Sequence, residues 1–168
     1  LEKPDILYKS EYGVFSYRVA GIIIHEQKVL LQRQLDDESG YALPGGHPQF
    51  GETSQDALRR EILEEMGVEI EVQRLLWVGE NFFPWGRKDC HQVCLYFLAG
   101  LAGQPCIPQE ETFLASDQLE GQRIPLEFSW HAIHSLKGIL IYPLGVNEKI
   151  MNLTEHVEHF IYFEQGTP

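Results

Sequence analysis

GGHPQFGETSQDALRREILEEMGVEI, residues 45–70, decides how the rest of the chain is read. It holds five glutamates, and three of them, Glu61, Glu64 and Glu65, fall within about one helical turn. Residues 53–66 contain neither Gly nor Pro, and Leu58, Ile62 and Met66 recur every four residues, the spacing of one buried helical face. Thr53 followed by Asp56 reads as an N-cap pair, and Gly67 stands where a left-handed terminator belongs. At about 100° per residue, the three glutamates share an arc of about 100° beside the apolar stripe. Like charges at i,i+4 cost about 0.2–0.5 kcal/mol per pair, whereas a hard cation such as Mg2+ or Mn2+ needs converging oxygens. Two readings are open on the helix alone: a solvated acidic face, and a carboxylate set that holds a metal.

Working outward, residues 17–25 (YRVAGIIIH) and 28–33 (KVLLQR) are β-rich runs joined by the polar pair Glu26-Gln27, which predicts a hairpin. Residues 36–40 read as a loop, 41–43 as a short strand and 44–51 as a loop with three glycines and two prolines. Beyond the helix, residues 68–78 and 91–98 (HQVCLYFL) predict strands, 100–123 a loop, and 127–131 a short strand. Residues 143–152 predict a helix opened by proline, and 156–164 a closing strand. With no regular βαβ repetition and no internal repeat, the pattern predicts an α/β (α+β) chain built on a mixed sheet flanked by helices.

The 168 residues predict a single domain, 1–168. No stretch approaches the roughly 20 apolar residues of a membrane span, and the opening LEKPDILYKSEYG does not read as a signal peptide. The expectation is a cytoplasmic protein without a membrane partner. Cys90, Cys94 and Cys106 are an odd number with no second ligand pair for zinc, so they read as reduced thiols. A formal charge of −12 argues against a nucleic-acid polymer as partner. A small phosphorylated ligand is compatible with that charge if divalent cations stand between the two sets of negative groups.

The wider spacing narrows the choice on the helix. From Gly46 the chain reads Gly, five residues, Glu52, seven residues, Arg60-Glu61-Ile62, one residue, Glu64-Glu65, one residue, Gly67-Val68. These nine positions in 23 residues are the Nudix box, and the chain therefore resembles the Nudix hydrolase family. Looser similarity extends through the first hairpin, ENFF (80–83), HQV (91–93), LEFSW (126–130) and the final strand. The resemblance implies a loop-helix-loop inside an α/β/α sandwich with a mixed central sheet, and water attack on a diphosphate linkage with Mg2+ or Mn2+. Carried over, Glu61, Glu64 and Glu65 correspond to metal ligands, with the Gly46 backbone beside them, and Glu64 is also placed among the catalytic groups. Glu52 and Arg60 resemble the ion pair that orients the helix, and Gly67 its terminator. Gly45 and Gly46 would bring backbone close to metal and phosphate.

Candidates for a further base lie after the box: Glu127 first, beside the aromatics of LEFSW, then Glu111 and its neighbour Glu110. Phe82, Phe83 and Trp85 with Arg87 and Lys88 form an aromatic and basic cluster suited to a nucleobase and phosphates, of which Phe83 and Arg87 are the site candidates. Arg18 and Arg33, on or at the end of the first two strands, are candidates for the diphosphate. Pro84 lies sixteen positions beyond the box, near where ADP-ribose pyrophosphatases carry a proline. One departure stands out: similar sequences often carry His-Glu-aliphatic where this chain has His91-Gln92-Val93, an amide in place of a carboxylate. The resemblance thus implies a hydrolase of a nucleoside diphosphate linked to another group (nucleotide sugar, ADP-ribose-like compound or nucleoside triphosphate), a small nucleotide-like substrate, and a homodimer. A nucleotide-sensing module that binds without turnover is the alternative, although such modules often lose the box glutamates that this chain keeps.

Overall fold

The run VAGIII (19–24) is apolar on both sides of a strand, which suits only a strand covered on both faces. The computed structural model, which describes residues 3–35, 40–103, 112–119 and 122–164, places it so. The elements run β1 (Leu7–Lys9), β2 (Val14–His25), β3 (Lys28–Gln34), β4 (Gly45–Gly46), α1 (Ser54–Met66), β5 (Ile70–Trp85), β6 (Lys88–Leu101), β7 (Phe113–Leu119), β8 (Gln122–Ala132), a 3-10 helix (Ile133–Gly138), α2 (Val146–Met151) and β9 (Glu158–Phe163). The sheet order is β7-β8-β3-β2-β6-β5-β9, with β1 and β4 attached to β2. The β2–β6 and β5–β9 pairs are parallel and the rest antiparallel, so the sheet is mixed.

Side-chain alternation divides the core in two. Val19, Ile23, Leu30, Phe97, Ala99, Leu126 and Phe128 pack with Ala57, Leu58 and Ile62 of α1. Ala20, Ile22, Val29, Leu31, Cys94 and Tyr96 face the other way, onto Leu136 of the 3-10 helix and Val146 and Ile150 of α2. The result is the α/β/α sandwich with a mixed central sheet. Leu58 and Ile62 are fully buried, each contributing about 1.5–3 kcal/mol.

α1 has the expected ends. Thr53 Oγ1 accepts from the Asp56 N–H at 3.2 Å, and Gly67 (φ 67°) returns its N–H to Leu63 O. The Glu26-Gln27 turn of the first hairpin holds both residues at positive φ (46° and 62°), as the twist of a two-residue hairpin demands.

Three expectations are corrected. Of the span read as a loop, residues 113–119 form β7 and pair with β8, which itself begins at Gln122 and so is much longer than 127–131. The short strand expected at 41–43 is reduced to isolated bridges, Gln32 to Ala42 and Tyr41 to Ile141. The last helix opens at Val146, behind Gly145 (φ 91°), and not at Pro143.

One feature of the sheet positions the site. β2 and β3 pair only near their shared turn, at Ile24–Val29 and His25–Lys28. Beyond it they part, and residues 42–46 enter the gap. Ala42 exchanges both backbone bonds with Gln32 on one side, while Pro44 O accepts from the Gly21 N–H and β4 pairs with Val19 and Ala20 on the other. Gly45 (φ 151°) is required here, because a Cβ would lie 2.0 Å from Val19 O.

Candidate active site

The helix and the glycine segment meet at Arg60. Its Nε and Nη2 hold the two oxygens of Glu52 at 2.8 and 3.0 Å. Its Nη1 donates to Glu61 Oε1 at 2.9 Å and Glu64 Oε2 at 3.1 Å, and its Nη2 also donates to His47 O at 3.0 Å. Five bonds match the five N–H groups of a guanidinium. Glu52 also accepts from the Gln49 N–H, and the Arg60 bonds hold its carboxyl below the usual range. Glu52 first, and then Glu61, raise the Arg60 pKa in return. Glu52 and Arg60 thus fix α1 against the preceding loop.

Glu61 and Glu65 lie one turn apart on the buried side of α1, whereas the Glu64 side chain is 60% exposed. Gly46 lies directly against Glu61: a Cβ would fall 2.2 Å from the Glu61 carboxyl carbon. Carboxyl oxygens beside a bare backbone fit a hard divalent cation in chemistry and in space. Among the described residues, however, no three His, Cys, Asp or Glu side chains already converge on one point. Glu61 and Glu64 converge on Arg60 instead, so an ion held by both would take over part of the role of that guanidinium.

On the other side of the glycine segment a cavity of about 400 Å³ opens, lined by Arg18, Arg33, Tyr41, His47, Phe83 and Trp85 among others. Arg18 Nη2 donates to Gly45 O at 3.0 Å and Leu43 O at 3.4 Å, anchoring the segment as well as facing the cavity. Arg33 lies 5.1 Å over the Tyr41 ring and bonds Glu127 at 2.6 Å across the β3–β8 pair. Glu127 alternates with Leu126 and Phe128, which pack toward α1, so it stands on the sheet face away from that helix. The structure therefore joins Glu127 to Arg33 and does not bring it to Glu61, Glu64 and Glu65. Glu110 and Glu111 lie outside the described residues, as does Cys106; Cys90 and Cys94 are free and buried.

The aromatic cluster is split by strand alternation. Phe83 and Trp85 face the cavity, while Phe82 turns to the opposite face and stacks on Phe163 at 4.4 Å. Arg87 is exposed in the β5–β6 turn and does not line the cavity. Gln92, the departure noted above, shares the cavity face with Cys94 and Tyr96.

Sequence reasoning missed a buried polar chain on the cavity floor. Asn81 Nδ2 donates to Gln92 Oε1 at 3.1 Å and to the Tyr96 hydroxyl at 3.0 Å. Gln92 Nε2 donates to Ser16 Oγ at 3.3 Å, which in turn lies 3.1 Å from His47 Nε2. Burial, then the nearby Arg18 charge, lowers the His47 pKa to about 4, so the ring is neutral. The available signal was one polar residue inside each apolar strand, namely Ser16, Asn81 and Gln92, since buried polar groups need partners.

The comparisons with known proteins agree with this geometry. A family model described as the NUDIX domain matches residues 16–137. An ADP-ribose pyrophosphatase of Methanocaldococcus jannaschii is 42% identical over 105 residues, 61% of each chain. An NAD-capped RNA hydrolase NudC of Pseudomonas fluorescens is 32% identical over 116 residues, 68% of this chain and 36% of that one. The chain thus spans 36% to 61% of the length of these two relatives. A crystal structure of a NUDIX hydrolase from Nitrosomonas europaea superposes with a TM-score of 0.58 at 20% identity, over 88% of this chain and 78% of that one, which speaks to the fold. The box lies inside the matched span, which covers most of the sandwich, and the chain belongs to the NUDIX domain family, the Nudix hydrolases.

Proposed function

We propose that this protein hydrolyses a diphosphate linkage in a nucleoside diphosphate joined to another group, releasing a phosphate monoester. The observation that carries the reading is the position of His47: its carbonyl is held by Arg60 among the box carboxylates, and its ring lines a nucleotide-sized cavity. A substrate with its base in that cavity would run its phosphates along Gly45 and Gly46 toward Glu61. ADP-ribose-like compounds lead the substrates to be tried, in keeping with the relative named as an ADP-ribose pyrophosphatase.

Glu61, Glu64 and Glu65 would hold Mg2+ or Mn2+, which when bound lowers the pKa of water and neutralises charge growing on phosphate oxygens. Arg60 orients Glu61 and Glu64 from its fixed bond to Glu52. Glu64, the most exposed of the three, is the carboxylate open to the attacking water and takes its proton. Gly45 and Gly46 let a phosphate approach backbone that a side chain would cover. Arg18, already fixed on Gly45 O, adds a positive charge at the boundary of segment and cavity.

The test is product analysis with Mg2+ and ADP-ribose, nucleotide sugars and nucleoside triphosphates, using the protein and a Glu65→Gln variant. Turnover of one class, lowered at least about a hundredfold in the variant, is expected. Saturable nucleotide binding with no turnover of any compound would replace the hydrolase by the sensing module.

A further inference from the structure

We infer that the cavity reads an exocyclic amine on the substrate's base, with Asn81 Oδ1 as the acceptor that selects it. The inference rests on the cavity being the nucleotide site proposed above, and it starts from the hydrogen-bond chain on the floor. Asn81 is 2% exposed, and both hydrogens of its amide are committed, one to Gln92 Oε1 and one to the Tyr96 hydroxyl. Gln92 is held in turn, because its Nε2 donates to Ser16 Oγ. Ser16 Oγ in turn lies 3.1 Å from His47 Nε2.

With both amide hydrogens committed, the oxygen of Asn81 is left over. Asn81 Oδ1 meets no hydrogen-bond partner among the described residues, although the residue lines the cavity. Gln32 Oε1, on the β3 side of the same cavity, is in the same condition. Two unmet amide oxygens on residues that line one cavity call for N–H donors from a ligand, since an unmet buried acceptor is a standing cost that a matching donor removes. Phe83 and Trp85 supply ring surface for the face of a base. An aromatic base with an amino group therefore meets both features of the wall, and a base lacking that group leaves Asn81 Oδ1 unmet.

Gln92 has a defined part in this. An amide at 92 accepts from Asn81 and donates to Ser16 at once, which a carboxylate cannot do. Gln92 thus serves base recognition at the cavity as a positioning residue for Asn81.

Calorimetric titration of the metal-free protein with AMP, purine riboside 5′-monophosphate (AMP without its amine) and IMP tests this without turnover. AMP is expected to bind at least about tenfold tighter than the purine riboside compound, and Asn81→Leu to bring the two within about twofold by removing the acceptor. Equal affinities in the unaltered protein, or no binding of AMP, overturn the inference, and tighter binding of IMP overturns it by showing a donor where the oxygen is placed. If Asn81→Leu does not fold, the AMP to purine riboside ratio of the unaltered protein decides alone. The hydrolase reading is judged separately, by turnover of any diphosphate, so the two can fail independently.

Discussion

Two polar networks meet at His47, and they are built on opposite principles. On the carbonyl side, Arg60 ties Glu52, Glu61 and Glu64 into an ionic cluster whose positive charge is outnumbered three to one. On the ring side, Ser16, Gln92, Asn81 and Tyr96 form a chain of neutral groups that are all buried. The first can exchange its guanidinium for a cation, because surplus carboxylate charge remains. The second can only orient dipoles. The difference assigns separate tasks to the two sides of one short segment, charge handling beside the helix and recognition in the cavity.

Removing the centre of the ionic cluster has the largest expected effect. Arg60→Ala leaves Glu52 and Glu61, with side chains 17% and 10% exposed, without their guanidinium. The pairs are part-buried, so breaking them from one side should cost more than the ~1 kcal/mol of an exposed pair and up to about 3–5 kcal/mol, the cost for a fully buried one. A urea titration should show the unfolding free energy lowered by that amount, as a lower midpoint at unchanged slope. Arg60→Lys should recover only part of the loss, since an ammonium cannot present the two-pronged face that Glu52 accepts. A loss below about 1 kcal/mol would place Arg60 with exposed pairs and remove the contrast between the two networks.

The two sides also differ in how far they could be read from the sequence. The ionic side follows from spacing along one helix. Glu61, Glu64 and Glu65 are neighbours because of the helical repeat, and Thr53 and Gly67 mark its ends by local chemistry. The cavity side depends on strands far apart in the chain. Ser16 faces Gln92 only because β2 and β6 run parallel in that register, and Asn81 faces Gln92 only through the β5–β6 register. No local periodicity announces a register. Likewise β7 was missed because an edge strand gains its stability from pairing with β8, and its sequence FLASDQL has few of the residues that mark strands. Glu127 looked free to act because nothing local shows that Arg33 lies opposite it.

A titration separates the networks next. His47 has a folded pKa of about 4 against an ordinary value of 6.5. Between those values the unfolded chain binds more protons than the folded one, so stability falls as pH drops from about 6.5 to 4. The full difference is on the order of 3 kcal/mol. Glu52 acts in the adjoining window: its depressed folded pKa gives stability that is complete above the ordinary 4.5 and is lost as pH falls below it. Stability measured by chemical denaturation from pH 7 to pH 3 should therefore decline in two stages. His47→Gln should flatten the upper stage and leave the lower, and Arg60→Ala should do the reverse. A single stage removed equally by both variants would mean that the two networks titrate as one.

Glu64 should show the smallest change in stability. Its side chain is 60% exposed and its bond to Arg60 is an i,i+4 pair on the helix surface, an arrangement worth about 0.3–0.5 kcal/mol. Glu64→Gln should keep the fold to within that margin, because Arg60 retains Glu52, Glu61 and His47 O. Turnover should nonetheless fall at least about a hundredfold if Glu64 accepts the proton of the attacking water. A near-neutral effect on stability beside a large effect on rate is the pattern of a group held ready by a cluster but not needed to build it. If stability instead falls by more than about 1.5 kcal/mol, a size outside that of exposed pairs, Glu64 belongs with Glu52 as a support of the helix. The proton would then have to go elsewhere, and Glu61, which lies against Gly46, is the next carboxylate of α1 at the glycine segment.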